Sequence, residues 1–301
     1  MTNGLAWIAV DWGTSNLRAW GIDAAGSVVF ARGSDKGMGK LAPGDFEAAL
    51  LEVCADDLPA DGTVPVIICG MAGARQGWTE APYVAAPCTP PGLALAAKPQ
   101  VQDPRLDVHI LPGVKQDDPA DVMRGEETQV AGVLAAQPQF DGVLCLPGTH
   151  TKWAHISAGE IVGFRTVMTG EIFALLSGQS VLRHSVTGDG WDDDAFDAAL
   201  SDALSSPQQF GARLFGLRAT GLLEGTDPGT LKARLSGQLL GLELAGTRPY
   251  WLGREVIIVG APRLAALYRR ALEAQGVMVR IAENDTVTLD GLKAAYAASA
   301  N

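Results

Sequence analysis

Two short stretches of the chain join an apolar strand to a turn of small and polar residues, a pattern that suits phosphate binding. In the first, residues 7–10 are apolar and lead into Asp11. The turn that follows contains Gly13, Thr14 and Ser15. The glycine lets a ligand approach the backbone, and the nearby N–H groups and hydroxyls can bind phosphate oxygens. Asp11 can orient a hydrated Mg²⁺, and Arg18 adds a positive charge. A hairpin turn without a ligand is the alternative, because Asp, Gly and Ser are common turn residues.

The second stretch repeats this order in the other half of the chain. The apolar residues 142–146 read as a buried strand, and Gly148, Thr149 and Lys152 follow. Two such turns predict a duplicated fold that binds a nucleotide between two lobes. Lys152 is either a phosphate contact or an outward-facing strand lysine. A third strand, residues 256–259, feeds a helix through Gly260, which suits the close approach of an adenosine.

The elements that must position these turns can be read from the hydrophobic pattern. Strands are predicted near residues 5–10, 17–22, 28–31, 64–68, 142–146, 152–157 and 161–168. Helices are predicted near residues 45–53, 127–136, 192–204, 207–217, 228–244 and 289–298. The proline-rich residues 82–104 are expected to form an ordered loop, since proline is unfavourable in a central strand. In the helix at 228–244, a stripe of leucines is interpreted as core packing.

Composition restricts the class of function. The chain has 301 residues, of which 47% are hydrophobic and 19% charged, and its net charge is −11. Nucleic-acid and anionic-membrane surfaces are not expected, because they require clustered Lys and Arg. The cysteines form no CxxC pair and are interpreted as reduced thiols. Neither a signal peptide nor a membrane span is evident, so we expect a cytoplasmic enzyme that is either a monomer or a homo-oligomer.

The order of these segments resembles the sugar kinases of the actin, Hsp70 and hexokinase superfamily and, within it, the 2-dehydro-3-deoxygalactonokinase family. The resemblance is carried by residues 11–20, 70–78, 123–129, 146–153, 168–171 and 260–268. It implies an α/β, two-lobed actin-like ATPase (ribonuclease H-like) fold with the active site in the interlobe cleft. Residues 1–138 would form the first lobe, with the sugar site and first phosphate motif. Residues 139–301 would form the second lobe, with the second phosphate motif and the adenosine motif.

The resemblance also implies a general base. Related kinases usually have an Asp after a Gly at the start of a helix, and here Gly125 is followed by Glu126. Glu126 is favoured as the base, although the adjacent Glu127 keeps this assignment open. Acids at a helix start are also common for electrostatic reasons alone, which is the structural alternative.

Phosphate and metal roles follow from the same resemblance. Gly148 and Thr149 would contact the β- and γ-phosphates of ATP. Related kinases often have an Asp two residues before this Gly-Thr pair, and Leu146 stands there instead. Asp11 would therefore act alone toward Mg²⁺, through water.

The substrate implied by the resemblance carries a carboxylate, so its pocket needs Arg or N–H donors. The resemblance suggests Arg75 and Lys36 for the carboxylate, Asp35 as an acceptor for a hydroxyl, and Gly37 in the same loop. Arg124, next to the candidate base, could fix that base or neutralise the transferred group. A solvated surface position is the alternative for each charged residue in a loop.

The implied reaction transfers phosphate from ATP to the 6-hydroxyl of 2-dehydro-3-deoxy-D-galactonate, a step of galactonate catabolism. Two other functions stay open at this point: a kinase of another sugar, and an actin-like nucleotide switch that acts through partners. A Rossmann dehydrogenase is not expected, because no GxGxxG follows the first strand.

Overall fold

A computed structural model describes residues 4–298 of the chain. The strands are β1 (Leu5–Trp12), β2 (Leu17–Asp23), β3 (Val28–Ser34), β4 (Val64–Gly70), β5 (Tyr83–Ala85), β6 (Leu106–Ile110), β7 (Gly113–Asp117), β8 (Ala120–Met123), β9 (Gly142–Leu146), β10 (Thr151–Ser157), β11 (Glu160–Val167), β12 (Val256–Gly260) and β13 (Val279–Glu283). The α-helices are α1 (Phe46–Cys54), α2 (Glu126–Ala136), α3 (Thr169–Gly178), α4 (Asp193–Ser205), α5 (Phe210–Glu224), α6 (Pro228–Gly246), α7 (Arg248–Trp251), α8 (Pro262–Glu273) and α9 (Asn284–Ala297). Short 3-10 helices cover Met38–Lys40, Ala55–Asp57, Met71–Gly73, Leu93–Leu95, Val181–His184 and Pro207–Gln209.

The chain forms two compact units. The first consists of the residues up to Asp141, the segment Ile156–Gly163 and the chain from Glu283 onward. The second consists of Gly142–His155 and Phe164–Ala282. The C-terminal helix α9 is therefore part of the first unit.

The first unit is built on a five-stranded sheet in the order β3-β2-β1-β4-β6. β1 is antiparallel to β2 and parallel to β4. The parallel register sets Asp11 beside Cys69 and Trp12 beside Gly70. Because the carboxyl ends of parallel strands meet at one edge of a sheet, this edge collects the polar residues that follow the strands.

Both faces of this sheet are covered. On one face, Phe46 and Leu50 of α1 pack against Val10 and Trp12. On the other, Leu292 of α9 joins a separate apolar cluster with residues of β1 and β4. Burial on both faces explains why β1 and β4 are almost continuously apolar, as expected for parallel strands.

Glycines allow α9 to lie directly on α2. A Cβ on Gly132 of α2 would lie 1.9 Å from the carbonyl oxygen of Val287, and a Cβ on Gly291 of α9 would lie 1.9 Å from that of Thr128. Such distances exclude any side chain, so the two backbones touch. This contact fixes α2, whose first turn carries the candidate base.

The second unit contains most of the sheet β11-β10-β9-β12-β13, in which β12 is parallel to β9. Its core includes Val143, Trp153, Phe196 and Ile258, all fully buried. A small third sheet, β5-β7-β8, belongs to the first unit. No helix among residues 4–298 is long and apolar enough to cross a membrane.

Most of the predicted elements are confirmed within a few residues. The prediction missed the strands β6, β7, β8 and β13 and the helices α3 and α7. Leu106–Ile110 nevertheless alternates between buried and partly exposed positions as a strand should. The proline-rich stretch is mainly loop, with β5 added at its start, parallel to β7. The predicted last helix begins earlier, at Asn284.

The glycine contact between α2 and α9 gives a stability prediction. Gly132→Ala forces the helices apart and should lower the free energy of unfolding by about 1–3 kcal/mol, as overpacking does. Gly216→Ala is the matched control, because the position is within α5 and open where a Cβ would point. It should raise stability by up to about 1 kcal/mol, since alanine favours helix over glycine. Urea unfolding measures the free energy of unfolding of both variants. Equal changes in the two variants would contradict the close contact between α2 and α9.

Candidate active site

The turn between β1 and β2 is the first candidate phosphate site. Gly13 donates its N–H to the carbonyl oxygen of Asn16 at 2.9 Å, and Thr14 and Ser15 are exposed. The loop after β3 braces this turn, because a Cβ on Gly37 would lie 2.2 Å from the carbonyl carbon of Ser15. Gly37 therefore supports the turn by close backbone contact.

Asp11 closes the strand before this turn and has two different neighbours. Arg18 donates to Asp11 Oδ2 from Nη2 at 2.6 Å and from Nε at 3.2 Å. The thiol of Cys69 donates to Oδ1 at 3.8 Å. Burial raises the pKa of Cys69 well above its usual range, so the sulfur stays a neutral donor. One oxygen of Asp11 thus faces a cation and the other a neutral group.

Two glycines let β4 approach the start of α2. Gly70 has φ of 89° and Gly125 has φ of 107°, a region that favours glycine. A Cβ on Gly125 would lie 3.3 Å from the Cα of Gly70, and a Cβ on Gly70 would lie 3.6 Å from Asp11 Oδ1. The first turn of α2 is therefore next to the edge of the sheet that carries Asp11.

The two acids of this turn have different surroundings. Glu126 is partly exposed, and its Oε2 accepts the N–H of Arg124 at 3.0 Å. Glu127 is 1% exposed, and both of its oxygens accept the N–H of Gly125 at 2.8 Å. Burial, with the nearby charge of Glu126, raises the pKa of Glu127 to about 8. Glu127 is therefore mainly protonated near neutral pH, and Glu126 is the more exposed of the two acids.

Arg124, just before this turn, is a buried cation of the first unit. Its Nη2 donates to the carbonyl oxygen of Ala81 at 2.7 Å, and its guanidinium carbon lies 4.3 Å from the ring centroid of Tyr83. Neither its Nε nor its Nη1 has a hydrogen-bond partner among the described residues. Because the side chain is buried, its positive charge is little screened by solvent.

The other charged residues predicted for the substrate lie at least partly at the surface, whereas Gly37 is buried. Their side chains form ion pairs: Asp35 with Lys40 at 2.7 Å, Lys36 with Glu52 at 2.5 Å, and Arg75 with Glu80 at 3.5 Å. The Lys40 ammonium lowers the pKa of Asp35. Exposed pairs of this kind are weak, so a ligand can displace them at little cost.

The turn between β9 and β10 is the second candidate phosphate site. Gly148 has open space where a Cβ would point, and Thr149 is exposed. The start of α3 braces the turn, since Glu171 donates its N–H to the carbonyl oxygen of Thr149 at 3.0 Å. A Cβ on Gly170 would lie 2.3 Å from the carbonyl oxygen of Gly148. Each candidate turn is thus supported by a glycine from another segment.

A cavity of about 460 Å³ opens beside this second turn. Its wall includes Gly148 and Thr149 together with apolar side chains of α6 and α8. Its polar and aromatic lining includes Trp191, Lys232, Ser236 and Arg263. The volume lies in the range of small-molecule sites.

Gly260 and Lys152 were also predicted to contact the nucleotide, and neither lines the cavity itself. Gly260 ends β12, and a Cβ there would lie 3.0 Å from the Cγ of Pro147, so it links that strand to the second turn. The following residue, Ala261, lines the cavity. Lys152 is buried within β10, not outward-facing.

Sequence reasoning missed a buried polar network behind the second turn. Glu243 of α6 accepts hydrogen bonds from the side chains of Trp153, Thr169 and Tyr268. A signal was available, because Glu243 interrupts an otherwise apolar run of α6 that was interpreted as core. The polar lining of the cavity was also missed, because it comes from distant segments.

The two units, each with a turn suited to phosphate, have the mixed α/β fold of the actin-like ATPases. A solved structure of this fold, an activator of 2-hydroxyisocaproyl-CoA dehydratase from Clostridium difficile with bound ADPNP, has a TM-score of 0.52 to this chain. It is 12% identical and covers 98% of this chain and 96% of its own. The family model described as 2-keto-3-deoxy-galactonokinase matches residues 11–295, and the chain belongs to this family.

Relatives extend this match over nearly the whole chain. A Rhizobium meliloti (strain 1021) protein provisionally named as a 2-dehydro-3-deoxygalactonokinase is 40% identical, with 98% of each chain covered. The 2-dehydro-3-deoxygalactonokinase of Escherichia coli (strain K12) is 35% identical over 98% of this chain and 99% of its own. A crystal structure of a Sinorhizobium meliloti protein with the same provisional name has a TM-score of 0.90, 40% identity and coverage of 97% and 99%. The chain is therefore a kinase, with ATP as a substrate.

The buried acid Glu127 gives a pH prediction. Its pKa is raised from 4.5 to about 8 in the folded protein, so the native state holds the proton more tightly than the unfolded state. Its contribution to stability is therefore greatest at low pH and is lost as pH rises through this range. Glu127→Gln removes the titration, so the melting temperature of the variant relative to wild type should rise from about pH 5 to about pH 8.

Thermal denaturation across this pH range tests the prediction. Glu80→Gln, which removes an exposed carboxylate, is the control for the substitution itself. A constant difference between Glu127→Gln and wild type at every pH would show that Glu127 does not titrate as described.

Proposed function

We propose that this chain transfers the γ-phosphoryl group of ATP to the 6-hydroxyl of 2-dehydro-3-deoxy-D-galactonate, as a step of galactonate catabolism. The observation that carries the proposal is the match to this kinase family over residues 11–295, which includes every candidate site residue. The relatives at 40% and 35% identity carry the name of this activity. Four free cysteines fit a reducing compartment, which supports the cytoplasm as its location.

In this proposal the second unit binds ATP. Adenosine lies in the cavity beside Trp191, and the phosphates meet the backbone N–H groups of Gly148 and Thr149. Lys152 supports the phosphates from β10, and Gly260 holds the strand that leads to the cavity wall. The open space at Gly148 supports a close approach of phosphate to this backbone.

In the first unit, Gly13, Thr14, Ser15 and Arg18 would contact phosphate, and Asp11 would orient Mg²⁺. Within residues 4–298 there is no cluster of three or more His, Cys, Asp or Glu that could hold a metal by itself. One carboxylate fits a Mg²⁺ that is bound mainly by ATP and water, and Asp11 Oδ1 faces only a neutral thiol. When bound, Mg²⁺ neutralises charge on the phosphates.

Glu126 is the proposed general base. It is partly exposed at the start of α2, whereas Glu127 is buried and its oxygens are occupied by the N–H of Gly125. Glu126 takes the proton of the 6-hydroxyl while that oxygen bonds to the γ-phosphorus. The bond from this phosphorus to the bridging oxygen breaks at the same time, and ADP leaves with the electron pair.

The substrate carboxylate is proposed to be held by the positive charge of Arg124. Its guanidinium is buried beside the start of α2, so its field is strong near Glu126. Asp35, Lys36 and Gly37 would form the hydroxyl side of the pocket, and Arg75 is a weaker candidate because its side chain is 80% exposed.

The two alternatives have less support. A kinase of another sugar and a nucleotide switch are both disfavoured by the full-length match to one sugar-acid kinase family. A panel assay of ADP release with ATP and Mg²⁺ separates all three. ADP release only with 2-dehydro-3-deoxy-D-galactonate supports the proposal. ADP release with a neutral sugar would show that the substrate is that sugar and not the sugar acid. ADP release that no sugar affects would favour the nucleotide switch.

The base assignment predicts the effect of Glu126→Gln. Turnover should fall about 100-fold or more, the range for loss of general-base catalysis, because glutamine cannot take the proton. The affinity for ADP, measured by calorimetry, should stay at the wild-type value. If Glu127→Gln abolishes turnover while Glu126→Gln does not, Glu127 is the base.

The assignment of the carboxylate predicts different effects for two arginines. Arg124→Met should raise the KM for the sugar acid about 10- to 150-fold, equivalent to losing a charged hydrogen bond of about 1.5–3 kcal/mol. Arg124→Lys, which keeps the charge, should recover part of this loss. Arg75→Met is the matched control and should change KM little. An unchanged KM in a folded Arg124→Met protein would exclude Arg124.

A further inference from the structure

Behind the second phosphate turn lies a chain of hydrogen bonds that the proposed function does not use. Thr151 Oγ1 lies 2.8 Å from the hydroxyl of Tyr268, and this hydroxyl donates to Glu243 Oε2 at 2.9 Å. The indole N–H of Trp153 donates to Glu243 Oε1 at 2.8 Å. Thr169 donates to the same carboxylate. All of these groups belong to the second unit.

The network reaches both sides of the turn at Gly148 and Thr149. Thr151 begins β10, two residues after Thr149. Thr169 begins α3 and precedes Gly170, whose backbone is so close to Gly148 that a Cβ would lie 2.3 Å from the Gly148 carbonyl oxygen. One carboxylate is therefore connected to the strand that leaves the turn and to the helix that braces it.

The burial of the Glu243 carboxylate strengthens the hydrogen bonds of this network. Glu243 is 2% exposed, and burial raises its pKa to about 6, so it is mainly ionised at neutral pH. Three neutral donors satisfy the charge, and hydrogen bonds to an ionised acceptor are stronger than neutral ones. Thr151 and Tyr268 are also almost fully buried, which shields their hydrogen bonds from water.

We propose that Glu243, through Tyr268 and Thr151, is a positioning residue that holds the Gly148–Thr149 turn in the conformation that binds the phosphates of the nucleotide. Glu243 does not touch the nucleotide. The proposal rests on the proposed function, because it takes this turn to be a phosphate site. Thr169 and Tyr268 of the network also line the adenosine cavity, whereas Thr151, Trp153 and Glu243 do not.

The position of the network predicts which ligands depend on it. Adenosine has no phosphate, so it should depend on the turn much less than ADP does, although Gly148 and Thr149 also line the cavity. A purely structural role in the core would instead lower the melting temperature and affect both ligands alike. The ratio of the two affinities therefore reports on positioning and not on packing.

A pair of substitutions at Thr151 tests this with little change in shape. Thr151→Val removes the hydroxyl and should weaken ADP binding about 2- to 12-fold, the effect of one hydrogen bond, with adenosine binding unchanged. Thr151→Ser keeps the hydroxyl and should bind ADP like wild type. Tyr268→Phe should weaken ADP binding by a similar factor, and the double variant should bind ADP no worse than either alone, because both break the same connection. Only the Thr151 variants are used for the comparison with adenosine, because Tyr268 lines the cavity.

Calorimetry with ADP and adenosine, together with melting temperatures and the kcat and KM for ATP, measures these effects. The KM for ATP should rise with the Kd for ADP. Gln238→Met removes another buried polar group from α6, one that does not line the cavity, and should leave ADP binding unchanged.

Three results would overturn the proposal. Equal weakening of ADP and adenosine, or unchanged affinities with only a lower melting temperature, would give the network a structural role. A wild-type protein that does not bind ADP would show that the turn is not a phosphate site. ADP binding without turnover of the sugar acid would overturn only the proposed function and leave this inference intact.

Discussion

The candidate site of the first unit depends on the contact between the backbones of Gly70 and Gly125. Both residues have positive φ, and a side chain on either would collide with or crowd its neighbours. This contact places the first turn of α2 beside the end of β1, so Glu126 and Asp11 lie near one edge of the sheet. The close packing of α2 on α9 then holds that helix in place. Glycine at these positions thus sets the geometry for the acids.

In the second unit, too, a glycine allows two backbone segments to lie in close contact at the candidate site. Gly170 lets the start of α3 touch the turn at Gly148, and a buried acid lies behind the turn. In each unit, burial raises the pKa of a glutamate, Glu127 in the first and Glu243 in the second. Neither acid is exposed, so both are suited to holding neighbouring segments in place.

Much of this could be predicted from the sequence, because the signals are local. The turns after Asp11 and Leu146 and the acids after Gly125 are contiguous motifs, and the structure places them at the ends of strands or at a helix start. The resemblance of their order to one kinase family is confirmed by the family match. The fold class was predicted on the same basis and is confirmed.

The parts that could not be predicted depend on contacts between distant residues. Nothing in the local sequence distinguishes buried Glu127 from accessible Glu126, because the difference arises from packing around α2. Glu243 lies 92 positions after Thr151 in the sequence, and the hydroxyl of Tyr268 connects the two side chains by hydrogen bonds. The surface ion pairs of Lys36 and Arg75 likewise depend on side chains from other segments or loops. Which of these charged residues contacts substrate stays a prediction.

The central claim is that this chain phosphorylates the 6-hydroxyl of the sugar acid. Phosphorus NMR of the product formed from ATP and 2-dehydro-3-deoxy-D-galactonate tests it most directly. We expect one new phosphomonoester signal, coupled to the protons on carbon 6, in amounts equal to ADP. A signal from inorganic phosphate alone, or a phosphate on another hydroxyl, would contradict it.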